Sequence, residues 1–133
     1  MKVINVSGSR KRAIARASVK KGTGMVKING KPLEMFEPVY LRAKVNEALI
    51  LAESECKKVD ISVRVAGGGP TGQADAIRLA VARGLVAFTE SDELRNRYLG
   101  YDRQLLVADI RRRESRKPNC RGKARSKRQK SYR

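Results

Sequence analysis

The sequence predicts an α+β domain over residues 1–109, followed by a basic C-terminal tail over residues 110–133. Three observations carry that reading. Residues 2–33 break into short alternating segments rich in β-branched side chains and separated by glycine turns, the pattern of an antiparallel unit. Residues 37–52 and 73–89 repeat apolar side chains at helical spacing, with an alternating run at 57–66 between them. The last segment, Ile110–Arg133, sets twelve Lys and Arg against one acid, Glu114, and so holds +11 of the chain's net +18.

Taken in order, Val3–Val6 and Ile14–Lys20 read as strands, with Gly8-Ser9-Arg10-Lys11-Arg12 as a basic turn or bulge between them. Gly22-Thr23-Gly24 marks a turn before a strand at Met25–Ile28. Asn29-Gly30 marks another, because both residue types tolerate positive φ. Glu37-Pro38 opens a helix, since proline is tolerated in a first turn. Its Leu41, Val45, Ala48, Leu49 and Ala52 share one face. In Lys57–Ala66, Val59, Ile61, Val63 and Val65 alternate with Asp60, Ser62 and Arg64, which implies one buried and one polar face. A helix over about 73–89 places Ala74, Ile77, Val81, Leu85 and Phe88 on one stripe and Asp75, Arg78 and Ala82 opposite. Gly84 within the stripe permits close packing. Ser91-Asp92-Glu93 starts a third helix, with acids against the positive end of its dipole, and Gly100 ends it after Leu99. Leu105–Val107 reads as a last short strand.

Composition narrows the chemistry. No His occurs, which removes His-based acids, bases and triads. The two cysteines, Cys56 and Cys120, form no CxxC, so no metal site and no disulfide framework is expected. Aromatic residues make up only 5%, with no Trp, which argues against a base-stacking platform and for a reader of phosphate and shape. The longest apolar run, Ala48–Ala52, is far short of a membrane span, and no apolar leader is evident, so no membrane partner and a cytoplasmic setting are expected. The tail offers almost nothing to bury against its ordering entropy, and its like charges repel. It is expected to stay disordered until a polyanion neutralises it.

Gly67-Gly68-Gly69-Pro70-Thr71-Gly72 fits G-x-G-x-x-G between a strand and a helix, with Glu90 eighteen positions beyond Gly72. Against a nucleotide loop, Pro70 removes an N–H, Glu90 falls at a helix end, and Gln73-Ala74 stands where a P-loop needs Lys-Ser/Thr. No cofactor is expected. The same physics suits an RNA phosphate, because successive glycine N–H groups at a helix N-terminus grip anions. Arg10, Lys11, Arg12 and Arg16 are candidates for an RNA patch, favoured over an ordinary charged turn by the charge balance of the whole chain. Arg78 and Arg83 could serve RNA or ion pairs equally, and Asp75 with Arg78 reads as an i, i+3 structural pair. Asp102, Asp109 and Glu114 are placed to pair with neighbouring arginines and hold the tail's root.

Four segments together resemble one family. Gly8–Ala17 is similar to its opening motif, Gly24–Leu33 to its following hairpin, and Gly67–Arg78 to its central signature. Tyr101-Asp102-Arg103, Leu106–Asp109, Glu114-Ser115 and the ending Gln129-Lys130-Ser131-Tyr132-Arg133 complete the match over essentially the whole chain. The family is the ninth universal protein of the small ribosomal subunit, in its archaeal–eukaryotic form.

The resemblance implies a four-stranded mixed sheet with two main helices on one face and a left-handed β-α-β crossover, an exception to the usual hand. It implies a non-catalytic constituent of the subunit head, bound to small-subunit ribosomal RNA beside neighbouring head proteins. The ribosomal-RNA candidates are Arg10, Lys11, Arg12, Arg16, Gly68 and Gly69 in the body. In the tail they are Arg111, Arg112, Arg113, Arg116, Lys117, Arg121, Lys123 and Arg125. It also implies a tail that threads to the peptidyl-site tRNA, where the terminal Arg, here Arg133, meets the anticodon stem-loop backbone. Bacterial members carry Lys at the penultimate position, where this chain has Tyr132. Stacking or hydrogen bonding by Tyr132, with charge from Arg128 or Lys130, is then the alternative contact. The rivals are a small nucleotide-dependent enzyme, which saturable nucleotide binding would reveal, and a non-specific DNA binder, which would prefer duplex DNA to structured RNA.

Overall fold

Strand β1 (Val3–Arg10) turns back at Lys11-Arg12 into β2 (Ala13–Lys21) in the computed structural model, which describes residues 2–118 and 124–125. Next come β3 (Val26–Ile28), the two-residue β4 (Lys31–Pro32), α1 (Val39–Ile50) and the single turn α2 (Glu53–Cys56). The chain continues through β5 (Val59–Ala66), α3 (Pro70–Thr89) and α4 (Asp92–Tyr101). The sheet order is β1-β2-β5-β3-β4, with β3 and β5 parallel and the other neighbours antiparallel. The expected four-stranded mixed sheet is therefore present, with a short fifth strand added at one edge. The parallel pair is joined through α1, forming the β-α-β crossover.

Alternation decides which face is covered. Ala13, Ala15, Ala17 and Val19 of β2 and Val59, Ile61, Val63 and Val65 of β5 are buried. The residues between them are turned away from the core and are mostly exposed. On the buried face α3 lies across β1 and β2, and α1 packs beside α3. Leu41, Val45 and Ala48 bring α1 into the same core as Ile77, Val81 and Leu85, and Ala52, just before α2, joins them.

Several elements differ from the sequence reading. The stretch from Gly8 to Arg10 is strand rather than turn, because Gly8 lets β1 lie directly on α3. A Cβ at Gly8 would sit 2.6 Å from the carbonyl oxygen of Ala76 and 2.8 Å from the nitrogen of Ala80. Only Lys11 and Arg12 form the turn, with Lys11 at φ 54. Asn29 and Gly30 adopt φ 49 and 83, as the turn signal required. α3 begins at Pro70, three residues earlier than its apolar stripe suggested, with proline in the first turn. Arg78 and Ala82, read as lying opposite the apolar stripe, are buried as well, because α3 meets the sheet on one side and α1, α4 and the segment after α4 on the other. A Cβ at Gly84 would lie 2.7 Å from Cγ2 of Val19, so the close packing read from sequence is real.

α4 starts as expected, with Ser91 Oγ accepting from the N–H of Leu94. It runs through Gly100 to Tyr101, where Asp102 caps it. Inside it, the Tyr98 hydroxyl donates to the Ala48 carbonyl at 2.7 Å, and burial pushes the phenol well above its ordinary pKa. The strand expected at Leu105–Val107 is absent. Arg103–Leu105 is instead a 3-10 turn, because Asp102 accepts from the N–H of Gln104 and Leu105 plugs into the core.

Candidate nucleic-acid interface

Three features of the fold meet at one end of the sheet. The first is the β1–β2 turn, where Lys11 and Arg12 are exposed. The second is the glycine loop, which lies against that turn. Gly67 and Gly68 take φ 79 and 68, a conformation open to residues without a side chain. A Cβ on Gly67 would be 2.6 Å from the Arg12 carbonyl oxygen, and one on Gly68 would be 3.0 Å from the Ala13 nitrogen. These glycines let backbone pack on backbone. Gln73 Nε2 donates to the Gly67 carbonyl at 3.1 Å and holds the loop closed. Gly69 then caps α3 without a side-chain hydrogen bond, and the first turn contains no acid. The positive end of a 20-residue helix is thus left beside Lys11 and Arg12.

The third feature is the root of the tail. Arg10 belongs to β1, and its pairing with Ala13 turns it to the helix side of the sheet, unlike Lys11 and Arg12. Its guanidinium pairs with Asp109 and, at 3.8 Å, with Asp75, which Lys44 also reaches at 2.6 Å. Arg10 therefore clamps the tail's root. Asp109 is only 12% exposed on its side chain, whereas Ile110 is 89% exposed, so the chain leaves the body between them. Asp109 also receives Arg111 at 2.6 Å. Arg112 approaches Ser9 Oγ at 3.5 Å, and Glu114 takes Lys117 at 3.1 Å and Arg125 at 3.0 Å. The sequence expectation that Asp102, Asp109 and Glu114 pair with arginines is met at all three. Arg113 and Arg116 are exposed on a segment without regular secondary structure. Arg121, Lys123, Arg128, Lys130, Tyr132 and Arg133 lie outside the described residues.

The other basic candidates separate. Arg78 is 7% exposed and pairs with Glu47 at 2.8 Å and Asp102 at 3.0 Å. The expected Asp75–Arg78 pair does not form, because burial of Arg78 against α1 and the α4 terminus supplies these nearer acids. Arg83 donates to the Leu106 carbonyl at 2.9 Å and the Ser7 carbonyl at 3.1 Å, tying the segment after α4 to β1. Both arginines are structural. Glu90 ends α3 at φ 52 and pairs with Lys2 at 2.6 Å, and that ammonium holds its carboxyl below the usual range. It therefore sits at a helix end, as expected, and not at the end of a strand, where a ribose-binding acid would lie.

Arg16 points to the uncovered face of the sheet, directly opposite Arg64 on β5. Sequence reasoning placed Arg64 on a polar face but did not name it as a binding residue. The missing information was the β2–β5 register, which no local pattern encodes. No metal-binding cluster of His, Cys, Asp or Glu occurs among the described residues, and none of their helices is long and apolar enough to cross a membrane.

Comparison with known proteins gives consistent matches. The family model described as Ribosomal protein S9/S16 matches residues 8–133. A protein of Thermoplasma volcanium named small ribosomal subunit protein uS9 is 50% identical over 133 residues, covering all of both chains. Proteins of the same name from Methanothrix thermoacetophila and Methanococcus maripaludis are 50% and 48% identical, again over the full length of each.

Proposed function

We propose, for a chain that belongs to the Ribosomal protein S9/S16 family, a structural and non-catalytic role in the small subunit of the cytoplasmic ribosome. Its body docks on small-subunit ribosomal RNA through phosphate contacts, and its tail neutralises further phosphates and runs on to the peptidyl-site tRNA. One observation supports this most: the exposed Lys11-Arg12 turn, the uncapped N-terminus of α3 and the clamped root of the tail adjoin one another. A single RNA surface can meet all three. The arrangement suits phosphates, because it offers cations and backbone N–H groups without aromatic stacking surfaces.

The clamp gives the tail a fixed departure point. Arg10 and Asp109 anchor the first residue pair, so the arginines from Arg111 onward are delivered to RNA already bound by the body. Ordering cost then falls on the tail alone, and docking of the body raises the local concentration of phosphates around it.

The test is RNA binding by the Lys11→Ala/Arg12→Ala double variant. Each lost phosphate contact should flatten the slope of log affinity against log salt by about 0.7–0.9. A slope flatter by about 1.5, at unchanged thermal stability, supports the docking corner; an unchanged slope refutes it. The tRNA contact rests on the family resemblance of Arg133, and deletion of Ser131–Arg133 is expected to weaken peptidyl-site tRNA binding while subunit assembly proceeds. Failure of assembly in that deletion would contradict the assignment of the tail end.

A further inference from the structure

We propose that the uncovered face of the sheet is a second RNA-docking surface, centred on Arg16 and Arg64 and reading the sugar–phosphate backbone of structured RNA. The inference rests on the ribosomal-RNA reading above and extends it to the sheet face that adjoins the hairpin corner.

The register places the residues. On this face Ser7, Arg16 and Arg64 form one cross-strand row, and Asn5, Ser18, Ser62 and Lys27 form the next. Ser18 Oγ lies 2.6 Å from Asn5 Oδ1, so the second row is already organised. Arg16 and Arg64 are direct partners in an antiparallel pair, an arrangement in which like charges repel. All thirteen acids of the chain lie among the described residues, and none is in ion-pair contact with Arg16, Arg64, Arg12 or Lys27. Asp60, the one acid in the strands, is occupied by the N–H groups of Thr23 at 2.8 Å and Met25 at 3.1 Å. The fold thus tolerates a cation pair that nothing in the body relieves, and a polyanion would relieve it.

The chemistry of the face selects RNA backbone over other partners. Asn5, Ser7, Arg12, Arg16, Ser62 and Arg64 line a shallow open concavity. No aromatic side chain lines it, so bases have nothing to stack on. A protein partner would call for an apolar centre, and Ile14 is the only large apolar side chain here that is substantially exposed. Guanidinium forks flanked by hydroxyl and amide groups match phosphate oxygens and ribose hydroxyls. Arg12 borders both this concavity and the hairpin corner, which makes one continuous cationic surface.

The experiment uses the full chain and small-subunit head-domain RNA, comparing Arg16→Ala/Arg64→Ala with Lys11→Ala/Arg12→Ala. Both arginines are exposed, so the first variant should melt at or slightly above the parent temperature. It should bind roughly tenfold more weakly, with a salt slope flatter by about 1.5. Backbone cleavage by hydroxyl radicals should reveal an RNA segment unprotected in this variant and still protected in the other. If only the hairpin variant changes RNA binding, the inference fails and the docking reading stands. If the parent itself does not bind the RNA, the docking reading fails. If Arg16→Ala/Arg64→Ala leaves the RNA footprint intact but abolishes binding to an acidic ribosomal protein, the face is a protein interface and the inference is overturned.

Discussion

Replacing Gly8 by alanine should unseat β1 from α3 and weaken the end of the sheet that carries the docking corner. The new Cβ would start 2.6 Å from the Ala76 carbonyl oxygen and 2.8 Å from the Ala80 nitrogen. Both obstacles are helix backbone, so no rotamer change can clear them. Restoring an ordinary contact of about 3.4 Å requires β1 and α3 to separate locally by about 0.8 Å. A gap of that size forfeits between about a quarter and a half of each affected van der Waals well. Overpacking of this kind costs about 1–3 kcal/mol, and backbone obstruction puts Gly8→Ala at the upper end. Against this, alanine recovers about 0.5–1 kcal/mol of the entropy that glycine loses in a strand. The net loss is about 2 kcal/mol, or about 10 °C in melting temperature for a domain of this size. Circular dichroism melts with urea midpoints would measure it. Gly100→Ala is the control, because nothing lies within 4 Å of its Cβ position in α4. That variant should gain up to about 1 kcal/mol of helix propensity. A Gly8→Ala protein melting within 2 °C of the parent, at about the limit of the measurement, would refute the packing argument.

Two further outcomes follow from the ion pairs. Arg78→Ala should cost about 2 kcal/mol, below the usual cost of breaking a buried pair, because Glu47 and Asp102 keep 37% and 33% of their side-chain exposure and remain solvated. A urea midpoint equal to that of the parent would sink this. Asp60 is held below the ordinary carboxylate pKa first by the Thr23 N–H and then by the Met25 N–H. A depressed folded pKa stabilises the fold above the unfolded value, about 3.9, and that stability is lost as pH falls through the folded value. The difference in urea midpoint between the parent and Asp60→Asn should therefore be steady at neutral pH and shrink below about pH 4. A difference that grows on acidification would contradict the assignment.

Period-two and helical patterns made most of the fold legible. The alternation of Val59–Val65 gave both faces of β5, and Leu41, Val45 and Ala48 gave the buried side of α1. What stayed hidden depended on tertiary neighbours. Gly8 looked like turn chemistry, yet its absent side chain serves a strand–helix contact 68 residues away in sequence. Arg78 read as lying opposite the apolar stripe, with RNA and an ion pair both open, because a helix packed on several sides leaves no polar stripe to read. The site divided in the same way. Lys11 and Arg12 were legible as an exposed basic turn, and Asp109 as a partner for arginine. Arg10, adjacent to them in sequence, turned inward because strand alternation extends three residues, Gly8 to Arg10, into the stretch read as turn. Arg64 could not be singled out without the register that sets it against Arg16.

The central claim is that the body recognises ribosomal RNA while the tail neutralises it. The most direct measurement is a salt titration of binding to small-subunit head-domain RNA, full chain against a truncation after Asp109. The truncation ends at the clamped residue, keeps the docking corner and removes +11 of the +18 net charge. The account predicts a distinctly shallower slope for the truncation, by about 0.7–0.9 for each lost phosphate contact, with preference for this RNA over unrelated RNA retained. Equal slopes for the two proteins would contradict it, and so would loss of all RNA preference in the truncation.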